Sequence, residues 1–181
     1  MADLSNRTIA VLATDGVEQV ELTEPVNALR TAGAQVVVIA PKGGKIQGMN
    51  HDEKGDMLAV DQDLSGVSAD RFDALVLPGG VANPDTLRTN AQAVAFVKHF
   101  VDANKPIAAI CHGPWTLIEA NGVSGRHMTS WPSLRTDLKN AGADWEDRSV
   151  VVDRNLVTSR KPDDLPDFCR EIVKLFTRGA A

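Results

Sequence analysis

Short, largely apolar segments alternating with stretches of helical periodicity constrain this chain more than any other feature. RTIAVLA (7–13), QVVVIA (35–40), DALVLPGG (73–80) and PIAAI (106–110) lack polar alternation. They are too short for helices, so they read as strands buried on both faces. VEQVELTEPVNALRTAG (17–33) has helical spacing, with Pro25 predicting a kink or a split and Gly33 a C-cap. PDTLRTNAQAVAFVKHFVDAN (84–104) reads as one long amphipathic helix and PWTLIEANG (114–122) as a short one. Strand–helix–strand order requires crossover connections, hence parallel pairing. KIQGMNHDEKGDMLAVDQDL (45–64) is Gly-rich and polar and predicts a β-hairpin at the sheet edge. Downstream, HMTS (127–130) predicts a short strand and WPSLRTDLKNAGA (131–143) a helix. SVVVD and LVTS predict a hairpin, and DDLPDFCREIVKLF (163–176) a final helix. The expectation is one domain, residues 1–181, an α/β sandwich on a mostly parallel sheet.

The 181 residues suffice for a sizeable core, and 43% hydrophobic with 24% charged residues is an ordinary globular balance. A formal net charge of -5 with no basic run gives no sign of a nucleic-acid partner. The first residues, MADLSNRTIAVLATDG, lack the pattern of a signal peptide, and no apolar run is long enough to cross a bilayer. Cys111 and Cys169 do not make a disulfide framework. Together these features predict a cytoplasmic protein with reduced thiols and no membrane partner. No His, Cys, Asp or Glu spacing resembles that of a zinc protein, so no metal site is expected.

One thiol stands at a corner. In PIAAICHGPW (106–115) the apolar run stops at Cys111, and a helix is due to start at Pro114. Ligands of an open parallel sheet bind beyond the carboxyl ends of its strands. A helix N-terminus there favours thiolate and predicts a lowered thiol pKa. Gly113 relieves crowding at the turn. Neighbours on a regular helix do not face each other, so Cys111 and His112 meet only if the elbow is strained. The glycines of LPGG (77–80) and the His112 N–H offer two halves of an oxyanion site. TDGVE (14–18) ends the first strand and brings Glu18 to the same rim. A carboxyl pressed there beside a thiolate has a raised pKa and donates a hydrogen bond. The alternative reading of Cys111 is a small buried hydrophobe.

DGVEQVEL, DALVLPGG and AAICHGP, in that order along the chain, resemble the ThiJ/PfpI superfamily. The nearest resemblance is to its PfpI-type branch of intracellular proteases and general stress proteins. It extends over nearly the whole chain, through TSWPSLRTDLKNAGA, VVVD and LVTSRKPDDLPDFC. It implies a flavodoxin-like three-layer sandwich related to class I glutamine amidotransferases. It implies a nucleophilic Cys111, His112 as acid and base, Glu18 hydrogen-bonded to the sulfur, and an oxyanion hole from the Gly80 and His112 N–H groups. It also implies an orienting acid from a neighbouring subunit, matching Asp85, hence a homodimer or larger homo-oligomer. The branch usually has glutamate there, and this loop is one residue longer.

Three functions follow from these residues. The first is a cysteine hydrolase acting on peptides. The second is cofactor-independent chemistry on a small aldehyde: a glyoxalase or a deglycase. The third is a redox sensor whose thiol is oxidised to sulfinic acid, since no resolving cysteine lies nearby in sequence. Among the other candidates, His51, Asp52 and Glu53 read as a solvated hairpin tip reaching the rim. Glu21 and Glu24 read as solvated charges, and Trp115 and Trp131 as core. His99 reads as a surface residue, His127 has no evident partner, and Cys169 belongs to an inert core stripe.

Overall fold

The computed structural model describes residues 3–178. Its elements run β1 (Thr8–Leu12), β2 (Val17–Glu18), α1 (Gln19–Thr31), β3 (Gln35–Ala40), β4 (Gly44–Asn50), β5 (Glu53–Val60), β6 (Gln62–Asp63), β7 (Ala74–Leu77), α2 (Ala82–Arg88) and α3 (Ala91–Asp102). There follow β8 (Ile107–Ile110), α4 (Pro114–Glu119), β9 (His127–Met128), α5 (Arg135–Asn140), β10 (Asp144–Trp145), β11 (Val150–Asp153), β12 (Leu156–Ser159) and α6 (Leu165–Arg178). The main sheet has seven strands in the order β11-β12-β8-β7-β1-β3-β6. Only β11 on β12 is antiparallel. The expected hairpin at residues 149–159 is that pair.

Alternation along the strands divides the core into two layers. Ile9, Val11, Val36, Val38 and Ile110 face α1 and α6, where Leu22, Val26, Leu29, Phe168, Ile172 and Phe176 close the layer. Ala10, Leu12, Val37, Ile39 and Leu77 face the other way, against Phe96, Val97, Phe100 and Leu117. Each fully buried Val, Leu, Ile or Phe among them contributes about 1.5–3 kcal/mol of transfer free energy. The molecule is therefore an α/β three-layer sandwich with a mostly parallel sheet, the flavodoxin-like arrangement. Among the described residues no helix is long and apolar enough to cross a membrane.

Three local expectations change. Helix α1 runs unbroken through Pro25, because Leu22, Pro25, Val26 and Leu29 together form the buried face that anchors it to the sheet. The segment 84–104 is two helices, since the Asn90 side chain accepts from the Ala93 N–H at 3.0 Å and starts α3 anew. The β4–β5 hairpin does not extend the main sheet: it joins β2 in a separate three-stranded sheet, with a register shift between Gln47 and Met49. That places its tip over the carboxyl end of β1.

Candidate active site

The strands β8, β7 and β1 are neighbours in the sheet, so the three loops at their carboxyl ends meet. Cys111 follows β8 directly and takes φ +62°, the left-handed region unusual for a residue with a Cβ. Its backbone is clamped on both sides: its N–H donates to Ser159 O at 3.1 Å, and its carbonyl accepts from Trp131 N at 2.9 Å. A side chain on Gly113 would bring a Cβ within 2.5 Å of Leu77 O, which is why the chain can turn so tightly there. This strained turn rotates the two neighbouring side chains together, and His112 Nδ1 lies 3.2 Å from Cys111 Sγ. Trp131 stacks on the imidazole at 5.8 Å and Trp115 meets it edge-on at 5.1 Å. Ser133 Oγ lies 3.4 Å from His112 Nε2. Burial pushes the imidazole down to about 4, so at neutral pH it is uncharged and able to take a proton.

The carboxyl beside the sulfur is Glu21, correcting the expectation of Glu18. Glu21 is fully buried and its Oε2 accepts from Gly79 N at 2.9 Å. Its carboxyl faces the Cys111 thiol, and among the described residues Oε1 has no partner of ordinary hydrogen-bond geometry. Burial, reinforced by the charge of Glu18, pushes Glu21 up to about 8, so it carries a proton at neutral pH. The reason for the exchange is local. Glu18 precedes the first turn of α1, whereas Glu21 falls on the helix face that carries Leu22 and Pro25 into the molecule. Glu18 is nonetheless buried, and both its oxygens accept from the His51 N–H, at 3.1 and 3.3 Å.

Burial works against the expected lowering of the thiol pKa. It pushes Cys111 well above the ordinary thiol value, and an ionised Glu21 would add repulsion. The N–H groups of Gly80 and His112 aim at the sulfur and pull the other way. Helix α4, Pro114–Glu119, begins three residues after the thiol. Gly80 reaches its position through φ +78°, packed against the Gly16 carbonyl. Gly79 is required for space, since a Cβ there would collide with Glu21 and Cys111.

A cavity of about 590 Å³ opens over the thiol, walled by Glu18, His51, Asp52, Val81, His112 and Trp131 among others. The hairpin tip thus reaches the rim, and Trp131, 37% exposed, is a cavity residue rather than core. Asp85 lies exposed on α2 and makes no side-chain contact with His112 within the chain, since α2 carries it to the outer surface. Asn83 went unnoticed in the sequence. It is fully buried, its Nδ2 donates to the carbonyls of Pro78 and Gly79, and its Oδ1 accepts from Thr14 N at 2.7 Å. It ties the β1 and β7 loops together.

The remaining histidines lie elsewhere. His127 has partners after all: its ring nitrogens meet Asp144 and Glu146 at 2.9 Å each, and the bond to Asp144 holds it above its usual range. His99 is half-buried against Phe100. Among the described residues no three His, Cys, Asp or Glu side chains converge as a metal site.

The sequence profile described as the DJ-1/PfpI family matches residues 7–175. Protein/nucleic acid deglycase 2 of Escherichia coli (strain K12) is 44% identical over 173 residues, covering 94% of this chain and 98% of that protein. General stress protein 18 of Bacillus subtilis (strain 168) is 42% identical over 174 residues, covering 95% and 99%. Among solved structures, Drosophila melanogaster DJ-1beta superposes with a TM-score of 0.86 at 29% identity, covering 94% of this chain and 90% of that one.

Proposed function

The chain belongs to the DJ-1/PfpI family, and from that premise we propose that it is a stress-response enzyme that adds the Cys111 thiol to reactive carbonyls without a cofactor. One observation carries the reading: an uncharged imidazole stands 3.2 Å from the thiol while a proton-bearing carboxyl faces it. A thiol that is protonated at rest needs a base within reach more than it needs a low pKa. As Sγ bonds to an aldehyde carbon, its proton passes to His112 Nδ1. The carbonyl π pair moves to oxygen, where the Gly80 and His112 N–H groups hold the developing charge. Protonation of that oxygen completes a hemithioacetal.

With a dicarbonyl such as methylglyoxal, the C–H proton then moves to the adjacent carbon by way of an enediol, leaving a thioester. Water cleaves the thioester, releasing lactate and the free thiol. The overall change is methylglyoxal plus water to lactate, with no oxidant or reductant consumed. The same addition would draw a sugar-derived carbonyl away from an amine or thiol, the deglycase activity named for the Escherichia coli relative. The test is lactate formation by purified protein and its loss in Cys111→Ser. Retained lactate formation would remove Cys111 from the mechanism.

A second reading, peptide hydrolysis, is favoured by the position of Asp85 in α2. It is exposed three residues after Ala82 in the cavity wall, where a neighbouring copy of the chain could present it to His112. It would make the active form a homo-oligomer in the cytoplasm. Asp85→Ala should then abolish peptide cleavage while sparing lactate formation.

A further inference from the structure

Two carboxylates share the cavity wall. Glu18 is 7% exposed and has one N–H, that of His51, shared between its two oxygens. An ionised carboxylate offers about four acceptor positions, so Glu18 keeps capacity for a donor arriving from the cavity. Asp52, next along the same hairpin tip, adds a second carboxylate to the wall, and the lining includes no Lys or Arg. His112 contributes no charge at neutral pH. Low-dielectric walls around charges of one sign focus their field on whatever enters.

We infer that Glu18 and Asp52 set substrate charge at this site, admitting neutral and cationic carbonyl compounds and rejecting anionic ones. The inference rests on the reading of Cys111 as an accessible nucleophile and adds a substrate class to it. Neutral dicarbonyls and adducts bearing an ammonium or guanidinium fit the cavity. The 2-oxo acids and phosphate-bearing adducts do not, because their anionic groups enter with no cation to meet them. Carbonyl adducts of lysine and arginine side chains are thereby preferred to those of nucleotides. Glu18 also keeps Glu21 protonated through its charge. Its effect on the thiol's own nucleophilicity is common to both reagents and cancels in a ratio, whereas any charge Glu21 gains in a variant works against the fall expected of that ratio.

The test compares reagents of similar size and different charge. Sγ of Cys111 displaces iodide from iodoacetamide, which is neutral, and from iodoacetate, which is anionic; peptide mass spectrometry at pH 7.5 gives each rate. The wild-type ratio of the two rates should exceed that of 2-mercaptoethanol by about tenfold, as expected for a carboxylate within a few ångströms of a poorly screened site. In Glu18→Gln/Asp52→Asn it should fall to within about twofold of the free thiol. A wild-type ratio equal to that of 2-mercaptoethanol, or one unchanged in the double variant, overturns the inference and leaves the nucleophile intact. No reaction with either reagent instead defeats the carbonyl-addition reading. Fluorescence quenching then decides the charge question separately: Trp131 lines the cavity, so the double variant should raise iodide quenching and lower caesium quenching. Unchanged quenching by both ions would overturn the inference on its own.

Discussion

The two cysteines share a chemistry and differ in surroundings. Burial pushes both thiols up, Cys169 to about 11 with help from the charge of Glu24, and Cys111 further still. Cys169 sits on α6 at the edge of the Phe168–Ile172 stripe, half-buried along a groove of about 630 Å³ between α1 and α6. Its wall there holds Glu24, Arg170 and Lys174 but no histidine. Cys111 has a neutral imidazole at 3.2 Å, a protonated carboxyl, two N–H groups aimed at it and a cavity in front. What separates a candidate nucleophile from a packing residue here is the set of groups able to take its proton and hold the charge that follows.

The largest effect expected is on that contrast itself. Cys111→Ser should lower lactate formation by about 10³-fold or more, while Cys169→Ser should leave it within about twofold. Comparable losses in both would break the comparison.

Glu21→Gln comes next, at roughly 10–100-fold in kcat/KM, because the amide cannot give up a proton in the same way. The wild-type rate should follow a bell, falling below about pH 4 as His112 becomes cationic and above about pH 8 as Glu21 ionises beside the sulfur. In Glu21→Gln the alkaline limb set by this carboxyl should vanish.

Stability gives the same residue an independent readout. The folded pKa of Glu21 is raised from 4.5 to about 8, so the folded state holds more protons than the unfolded between those values. Its contribution is fully present below the unfolded pKa and is lost as pH rises toward 8. Removing the ionisable group should stabilise the protein at pH 7 by an amount on the order of 3 kcal/mol, visible in urea unfolding at pH 5 and pH 7. Equal stability changes at the two pH values would mean that Glu21 is not held neutral.

Asn83→Ala strands the Thr14 N–H and the Pro78 carbonyl and leaves the Gly79 carbonyl only the Glu18 N–H at 3.4 Å. A loss of about 1–3 kcal/mol in urea unfolding is expected, with the thiol's reactivity reduced as the loops separate. The smallest effect is expected of Ser133→Ala. At 3.4 Å from Nε2 the hydroxyl holds the imidazole weakly, so kcat should drop no more than about threefold.

Much of the architecture was legible because strand and helix periods act locally. The runs 7–13, 35–40, 73–80 and 106–110 became β1, β3, β7 and β8, and the corner position of Cys111 followed from where the apolar run stops. Glu21 was legible too, though by a signal passed over. It lies one turn before Pro25 and three residues after Glu18, on the stripe that continues through Leu22, Val26 and Leu29. A carboxylate on a buried stripe is the unusual observation, and one at the rim is not. Asn83 offered no such sign, since its three partners come from loops far from it in sequence or adjacent only after the turn has formed.

The sequence by itself determined the layers, the parallel sheet and the thiol at a strand end, because these depend on residue spacing and on which side chains water excludes. Only the tertiary structure decided which glutamate faces the sulfur, that His112 turns toward its neighbour, that Trp131 and the hairpin tip wall the cavity, and how deeply the thiol is buried. Those outcomes depend on distances between segments remote in the chain and on the local dielectric they create together, and neither is a property of any one stretch of residues.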